Sequence, residues 1–226
     1  MPATKEQTNE HPVIFSGWSI RRILAAEKSQ TRRIVKPEPP DDVRSVMRDD
    51  MGGDWIGTVG SRNDPILWNE KCPYGKTGDV LWVREAFRLP ECYDHLSPRE
   101  YVDDTSIHAV KYEAHQPYDK QYGGYRWGRK RPSIYLPREL CRLRLRVEDV
   151  RVERVQEISA EDALNEGISD CENQDTPPHD IKVDGQWCAT PIDAFAALWD
   201  SIHGDGAWKE NPHVWVVEFS RINNDN

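Results

Sequence analysis

Residues 141–155 contain the pattern that most constrains the fold of this chain. Apolar residues alternate with arginines over its first half, and valines at 150 and 152 continue the period. Successive side chains of a β-strand point to opposite faces, so the sequence predicts a long, half-buried strand here. Its apolar face carries Leu143, Leu145 and Val147, and its basic face carries Arg142, Arg144 and Arg146.

Shorter patterns surround this strand, and most of them are β-like. Further strands are predicted at 13–15, 80–85, 107–112, 133–136 and 214–219. Helices are predicted at 18–27, at 158–166 with Ser159 as N-cap and Gly167 at the C-terminal end, and at 191–202. Because short strands outnumber helices, we expect an α+β fold, a small mixed barrel with flanking helices and long loop insertions.

The domain organisation predicted from the sequence is simple. Residues 1–11 are polar and are expected to form a disordered tail, and 12–222 are expected to form one domain. Stretches rich in Pro, Asp, Gly and other polar residues predict insertions near 37–69, 89–106 and 169–190. The first of them is expected to hold one hairpin, around Trp55 and Leu67.

The acidity of the chain bounds its partners. The 226 residues carry a formal net charge of -9, and the pI is about 5.3. Such a chain repels phosphate at long range, so binding a nucleic acid requires a local basic patch. A nucleoside is the alternative ligand, because phosphate attraction contributes little to its binding. The nine tryptophans are suited to stacking on bases, but equally to core packing.

The remaining composition predicts a cytoplasmic protein that needs no cofactor. Five cysteines are scattered without a CxxC spacing, so neither a disulfide framework nor a zinc site is expected. No apolar run is long enough to span a bilayer, and the N-terminus shows no signal-peptide pattern. We therefore expect reduced thiols, no metal and no membrane partner, and the sequence does not indicate the oligomeric state.

Residues 27–33 place an amine, a hydroxyl and two guanidinium groups close together. Lys28 precedes Thr31 by three positions, a spacing that puts both side chains on one face of a helix end or turn. A threonine hydroxyl can act as a nucleophile with a lysine as its base, and Arg33 can hold an anionic or carbonyl-rich ligand. In the structural alternative, Lys28 and Arg32 are solvated cations at a helix end and Thr31 is a turn residue.

Residues 122–131 interleave three aromatic residues with four basic residues and three glycines. This composition suits single-stranded nucleic acid, since bases stack on aromatic rings and cations track the phosphates. A surface loop is the structural alternative. The residues predicted to bind nucleic acid are Tyr125, Arg126, Trp127, Arg129, Lys130 and Arg131. The arginine stripe of the long strand is consistent with phosphate contacts and equally with a charged solvent face.

Several features recur in a fixed order along the chain. Lys-Ser-Gln-Thr-Arg-Arg at 28–33 follows a helix, and a Gly-Asp turn precedes Leu-Trp-Val-Arg-Glu at 81–85. The long strand then leads to a helix ending in Glu-Gly, and Val-Trp-Val-Val-Glu-Phe closes the pattern. This order resembles the ASCH domain, a relative of the PUA β-barrel.

The chain is also similar to a group of ASCH-containing phage and prophage proteins. The shared stretches are Arg-Pro-Ser at 131–133, Leu-Trp-Asp-Ser-Ile at 198–202 and Asn-Pro at 211–212. The resemblance covers most of 12–222, and the insertions at 37–69 and 89–106 match poorly. It implies a PUA-like barrel associated with RNA or modified nucleotides.

The resemblance also implies an activity. A compact bacterial ASCH enzyme, about half the size of this chain, is an amidohydrolase that removes the acetyl group of N4-acetylcytidine. Its site combines a Lys, a Thr three residues later and a Glu in the helix after the long strand. The matching residues are Lys28, Thr31 and Glu166. In this hypothesis neutral Lys28 takes the proton of Thr31, and Glu166 positions the base or protonates the leaving amine.

The expected substrate contacts come from other parts of the chain. Arg33 follows the Lys-Thr pair, Trp18 lies in polar surroundings, and Arg84 and Glu85 end a predicted strand. Ser133 follows Arg131-Pro132. For Glu166 and for the Arg84–Glu85 pair, a surface residue and an exposed ion pair are the structural alternatives.

Three hypotheses of function follow from the sequence. The first is an enzyme that hydrolyses an exocyclic amide on a modified pyrimidine nucleoside or nucleic acid. The second is a non-catalytic protein that binds RNA or a modified base. The third is a phage-encoded interaction or inhibitory factor. The Thr31 hydroxyl separates the first two, because only the enzyme needs a nucleophile.

Overall fold

The computed structural model describes residues 8–48, 54–60, 64–104, 109–114, 124–168 and 190–222. These residues form a mixed α+β fold, as predicted, and no closed barrel is found among them. The strands are β1 (Glu10–Ile14), β2 (Gln30–Ile34), β3 (Ser45–Arg48), β4 (Trp55–Thr58), β5 (Trp68–Glu70), β6 (Val80–Arg84), β7 (Phe87–Arg88), β8 (Lys111–Tyr112), β9 (Arg144–Arg154) and β10 (His213–Arg221). The helices are α1 (Gly17–Leu24), α2 (Pro98–Asp104), α3 (Ala160–Asn165), α4 (Pro191–His203) and α5 (Ala207–Glu210).

The chain divides into two compact units. The first unit comprises Met1–Ala26, Gly78–Arg146 and Ser220–Asn226, and the second comprises Glu27–Thr77 and Val147–Phe219. Strands β9 and β10 each carry residues of both units. The prediction of one domain over 12–222 stays a prediction.

The first unit is organised around strand β6. On one side β6 runs parallel to β1, and on the other it is antiparallel to the start of β9, with Leu81 opposite Leu145. Both leucines are fully buried, whereas Arg146 is exposed. The alternation of residues 141–155 therefore acts as the sequence predicted, because the apolar face removes hydrocarbon from water.

Strand β1 begins earlier than expected. Glu10 and His11 lie in it, inside the stretch that the sequence assigned to a disordered tail. The main chain of Asn9 explains the early start, since its carbonyl accepts a bond of 2.9 Å from the Val80 N–H and its N–H donates to Asp79 Oδ1 over 3.0 Å. The residues before position 8 lie outside the described part of the chain.

Residues of the predicted insertion at 89–106 contribute to a hydrophobic core in the first unit. A 3-10 turn at Glu91–Tyr93 and helix α2 occupy most of it. The residues that form this core are Phe87, Leu89, Tyr101, Val110, Leu136 and Leu140. Burying Tyr101 removes a large aromatic surface from water, which explains why this polar-looking stretch is ordered.

Two short strands predicted in this unit differ from the structure. Residues 133–136 are not a strand, because Pro132 and Pro137 flank a 3-10 turn in which the Leu136 N–H donates to the Ser133 carbonyl over 3.0 Å. The strand predicted at 107–112 is observed only at Lys111–Tyr112, since 107–108 lie outside the described residues.

The second unit contains two sheets. Strands β9, β10 and β2 are neighbours in that order, and β3, β4 and β5 form an antiparallel meander. The centroid of the Trp215 ring lies 5.8 Å from that of Trp55 and 6.1 Å from that of Trp68. The described residues of the stretch 37–69 are therefore a packed part of this unit. The sequence missed strand β3 but predicted the hairpin of β4 and β5.

The helices of the second unit follow their capping signals. Ser159 and Asp162 form the predicted capping box at the start of α3, and Gly167 follows the helix with φ 93°. Thr190 caps α4, whose residues Phe195 and Trp199 are buried. Residues 169–189 of the third predicted insertion lie outside the described part of the chain.

Candidate functional site

The residues around Lys28 adopt a different local structure from the one predicted. Helix α1 ends at Leu24 and Ala26 has φ 60°, so the helix does not extend to Lys28. Lys28 lies in a loop, and Thr31 is the second residue of β2. The prediction that a helix end presents both side chains is wrong, because pairing with β10 extends the chain from Gln30 onward.

A buried ion pair joins Lys28 to Glu166 across the second unit. Lys28 Nζ lies 2.6 Å from Glu166 Oε2 and 2.7 Å from the Glu166 carbonyl oxygen, and both residues are buried. Glu166 is the C-cap of α3. The Ser29 N–H donates to the Asn165 carbonyl over 2.9 Å, which fixes the loop against the end of the helix. The structure thus brings together two of the three predicted catalytic residues and excludes the surface-residue alternative for Glu166.

Burial is the main influence on the pKa of Lys28. Loss of hydration lowers the pKa of Lys28 below its ordinary value, since the charged ammonium is the form that burial penalises. The carboxylate of Glu166 opposes this shift, and the charges of Arg33 and Arg32 add to it. Lys28 is therefore closer to its neutral, basic form than an exposed lysine would be.

Arg32 contacts the carboxylate of Glu166 and two further carboxylates through its guanidinium group. Its side chain is fully buried, and its guanidinium lies 3.5 Å from Glu166 Oε1, 3.2 Å from Glu153 Oε2 and 3.1 Å from Asp162 Oδ2. The Gln30 side chain accepts a further hydrogen bond from it. The sequence named Arg32 only in the structural alternative, as a solvated cation, and that alternative is wrong for this residue. Gln30 and Arg32 are two positions apart, which puts both on one face of a strand, and this spacing was the signal available.

A surface network continues from these carboxylates. Arg151 contacts Glu153, Glu218 and Asp162, the last of them over 3.2 Å. Burial acts to lower the pKa of Arg151, but its acidic neighbours together outweigh burial and raise it, so this cation is permanent. The second unit therefore carries a continuous set of ion pairs from solvent to the buried Lys28.

Thr31 does not contact Lys28 in this arrangement. It is buried in β2 opposite Val217 of β10. Its neighbour Arg32 faces Glu166, and adjacent residues of a strand point to opposite faces, so Thr31 faces away from Arg32. Both hydrogen bonds that Lys28 Nζ donates within the described residues go to Glu166. Proton transfer from Thr31 to Lys28 therefore requires a rearrangement of the lysine side chain.

Arg33 shares a face of β2 with Thr31, because the two are separated by one residue. It is half-buried, and its positive charge lowers the pKa of Lys28, of Tyr74 and of His203. Burial is the larger influence on Tyr74, which has a raised pKa, and on His203, which has a lowered one. The charge of Arg33 therefore acts on the candidate base, Lys28, and lies on the same strand face as the candidate nucleophile, Thr31.

The other predicted substrate residues belong to the first unit. Glu85 is buried there, and each of its carboxylate oxygens accepts a bond of 2.8 Å from Arg142, which is the geometry of a structural pair. Arg84 lies over the ring of Trp82 at 4.6 Å. The ring of Trp18 lies under Arg22 at 5.6 Å, and Ser133 opens a 3-10 turn. The alternative of an exposed Arg84–Glu85 pair is wrong, because Glu85 pairs with Arg142.

The structure describes the basic segment from Gly124 to Arg131, and residues 122–123 lie outside the described part of the chain. Isolated bridges join Phe87 to Arg131 and Pro90 to Trp127. Carboxylates lie near three of its four cations: Arg126 at 3.0 Å from Glu91, Lys130 at 3.9 Å from Glu113, and Arg131 at 3.6 Å from Asp94. The rings of Tyr125 and Trp127 are 5.6 Å apart.

The three arginines at 142, 144 and 146, at and just before the start of β9, differ in their partners. Arg142 pairs with Glu85 and Arg144 with Glu10, while Arg146 is exposed. Two of the three charges are therefore compensated within the first unit, which favours a solvent face over a phosphate track.

Comparison with protein-family models, with curated proteins and with solved structures found no match to this chain. Within the described residues, no group of three or more His, Cys, Asp and Glu is placed to hold a metal ion. No helix among them is both long enough and apolar enough to cross a membrane. The geometry of the second unit is therefore the main structural guide to function.

Proposed function

We propose that this protein hydrolyses an exocyclic amide on a modified pyrimidine, in the manner of an N4-acetylcytidine amidohydrolase. The observation that carries the proposal is the buried Lys28–Glu166 pair with its 2.6 Å contact. Few lysines are fully buried, and burial lowers the pKa of Lys28, which favours the neutral amine that can act as a base. The sequence resemblance to ASCH enzymes supports the same assignment.

The proposal includes the fold, a PUA-like barrel of the ASCH type. The order that resembles the ASCH domain has a long strand that leads to a helix ending at the glutamate. In the second unit, the order β9, β10, β2 and the end of α3 at Glu166 support that assignment.

In the proposed reaction Lys28 accepts the proton of the Thr31 hydroxyl, and Thr31 Oγ1 attacks the acyl carbon. The carbon–nitrogen bond then breaks, and the amine of the pyrimidine leaves with a proton relayed by Glu166. Water then attacks the acyl–Thr31 ester: its oxygen leaves with the acyl group as a carboxylic acid, and one of its protons restores the Thr31 hydroxyl, so that Lys28 is neutral again. Arg33 lies on the same face of β2 as Thr31, so it is the side chain assigned to the developing negative charge.

Glu166 has one oxygen available for substrate. Its Oε2 accepts from Lys28, whereas Oε1 is buried and has no hydrogen-bond partner among the described residues apart from the longer ion pair with Arg32 at 3.5 Å. A buried carboxylate oxygen without a hydrogen bond is costly. The amino or amide N–H of a bound pyrimidine is the kind of donor that would satisfy it.

The test is turnover of N4-acetylcytidine, as nucleoside and within an RNA oligomer, followed by chromatography of cytidine and acetate. We expect release by the wild type, loss in Thr31→Val and partial activity in Thr31→Ser, because the first variant keeps the shape and removes only the hydroxyl. Lys28→Met should lose activity and Glu166→Gln should keep only a small, measurable part of it, while a cooperative urea transition shows that each variant is folded. No release by the wild type from either form of substrate contradicts the proposal.

A non-catalytic protein that binds a modified base is the second candidate. The observation that favours it is that Lys28 donates both of its hydrogen bonds to Glu166 and none to Thr31 within the described residues. Such a protein needs a binding site for the base but no nucleophile. In that case Thr31→Val binds N4-acetylcytidine as tightly as the wild type in calorimetry, and neither protein changes it.

A further inference from the structure

A cavity of about 420 Å³ lies on the first unit, and none of the residues used in the proposed reaction lines it. It lies between the start of α2, at Ser97 and Pro98, and the segment that runs from Arg129 to Tyr135. Its volume falls within the range of about 300–1,000 Å³ that is common for small-ligand sites. Because all of its lining residues belong to the first unit, it can be considered by itself.

One wall of the cavity is cationic. Arg129, Lys130 and Arg131 line it in succession, and their carboxylate neighbours are Glu113 and Asp94. Arg129 is exposed and its guanidinium makes no ion pair with a described residue, although its backbone N–H donates to Asp94 Oδ2 over 2.8 Å. Glu113 also pairs with Arg88 over 2.6 Å, so within the described residues the cations at this wall outnumber their carboxylate partners.

The buried member of this set is itself incompletely satisfied. Arg131 Nε is buried and has no hydrogen-bond partner among the described residues. Burial lowers the pKa of Arg131, and the charge of Arg129 lowers it further. An anion in the cavity would offset both the desolvation and the repulsion between the two arginines.

The other lining residues include two prolines and an aromatic residue. The Tyr135 side chain lines the cavity, and the residue is 62% exposed beside the rings of Pro98 and Pro132. Large exposed aromatic rings next to cations are the combination on which nucleobases stack while their phosphates are held. The ligand that fits has a planar ring and a negative group a few ångströms away.

We propose that this cavity binds a phosphate-bearing nucleobase, with the base on Tyr135 and the phosphate at Arg129 and Lys130. The ligand is either one nucleotide of a single-stranded nucleic acid or a free nucleoside 5′-phosphate, which share this chemistry. The proposal does not rest on the proposed hydrolysis. It changes the basic-segment prediction, because Arg126 and Trp127 lie outside the site and Ser97 and Tyr135 enter it.

Fluorescence anisotropy with the full chain and a labelled single-stranded oligouridylate tests this proposal. We expect binding that the double variant Arg129→Gln/Lys130→Gln weakens about tenfold. The slope of log affinity against log salt concentration should become shallower by about 0.7 for each phosphate that the variant no longer neutralises. Tyr135→Ala should also weaken binding about tenfold. Uridine 5′-monophosphate should compete, and uridine should compete far less, because it lacks the phosphate.

The competition distinguishes the two sources of ligand. If the monophosphate competes as well as the oligomer, a free nucleotide is the ligand, and if the oligomer binds much more tightly, a polymer is. Both results support the site.

Matched variants control for general effects. Arg126→Gln removes an equally exposed cation and Tyr125→Ala an exposed tyrosine, and neither residue lines the cavity. Both should bind like the wild type. No binding of oligomer or monophosphate, or an equal loss in the control variants, overturns the proposal. The hydrolysis assay on the unphosphorylated nucleoside is unaffected by that result, so the two proposals fail separately.

Discussion

The two units of this molecule hold charge in opposite ways. In the second unit Lys28 and Arg32 are removed from water, and Glu166 is buried with them. In the first unit the cations of the basic segment are mostly exposed, and their carboxylates lie 3.0 to 3.9 Å away. Exposed pairs of this kind contribute little to stability, whereas breaking a buried pair leaves an uncompensated charge in a medium of low dielectric constant.

The difference assigns different tasks to the two sets of residues. The buried set shifts the protonation of Lys28 and fixes the orientation of Glu166, which is what acid–base chemistry requires. The exposed set leaves Arg129 available to a ligand, which is what binding of an anion requires. Substitutions in the two sets should therefore differ in the size and in the kind of their effects.

The largest effect is expected from Arg32→Met. The substitution removes a fully buried cation and leaves the carboxylates of Glu153, Asp162 and Glu166 facing one another. We expect a loss of about 3–5 kcal/mol in the free energy of unfolding, the range for removing one member of a buried ion pair. Urea unfolding followed by circular dichroism measures it. A loss below about 1 kcal/mol would show that this network is solvated and that the contrast between the two units is wrong.

Lys28→Met is expected to cost about 3 kcal/mol, because it leaves Glu166 buried and without its partner. The double variant Lys28→Met/Glu166→Met should recover much of that loss, because it leaves no unpaired charge in the buried site. The same urea experiment on the wild type, Lys28→Met, Glu166→Met and the double variant gives the coupling energy between the two side chains. Equal losses in the single and the double variant would contradict a tight buried pair.

The pH dependence of hydrolysis is the third prediction. Lys28 works as a base only when it is deprotonated, and its pKa is lowered from the ordinary value of 10.5. Activity should therefore rise about tenfold per pH unit below that pKa and level off above it. Removing the charge of Arg33, which lowers the pKa of Lys28, should move this limb to higher pH in Arg33→Gln. Removing the charge of Glu166, which raises it, should move the limb to lower pH in Glu166→Gln.

Profiles of kcat against pH for the three proteins measure these shifts. Because a merely structural role of Arg33 would lower activity without moving the limb, the direction of the shift is the informative result. A limb that stays in place in both variants would indicate that another group titrates.

The smallest effect is expected from Arg126→Gln in the first unit. The pair of Arg126 with Glu91 is exposed on both sides, with 87% and 50% of the side chains accessible. We expect a change within about 0.5 kcal/mol in the free energy of unfolding, as for most exposed pairs. Raising the salt concentration should reduce even this effect, whereas the Arg32 and Lys28 effects should persist.

The regular elements were largely accessible from the sequence. The alternation at 143–147 predicted which face of β9 is buried, and Ser159 and Gly167 predicted both ends of α3, because these signals act over a few residues. The strand predicted at 133–136 is wrong because of an equally local signal: the two prolines that flank a short apolar run favour a turn there.

The candidate site was accessible only in part. Lys28 was singled out by its spacing from Thr31, Glu166 was named through a resemblance, and the two residues lie together. The sequence placed Lys28 at a helix end, however, and named Arg32 only as a solvated cation in the structural alternative. Whether Thr31 is a nucleophile stays a prediction. Arg32 was missed because its burial depends on Glu153, Asp162 and Glu166, which lie more than a hundred residues away along the chain.

The α+β character, the long amphipathic strand, the capped helices and the concentration of basic and aromatic residues at 125–131 could all be read from the sequence. These properties follow from periodicity and local hydrogen bonding, which neighbours in the chain decide. It took the folded chain to bury Lys28 against Glu166, to pair Glu85 with Arg142, and to leave Arg129 as the cation of the basic segment without a carboxylate partner among the described residues. Charges take their roles from desolvation and from partners distant in sequence, and both exist only once the chain has folded.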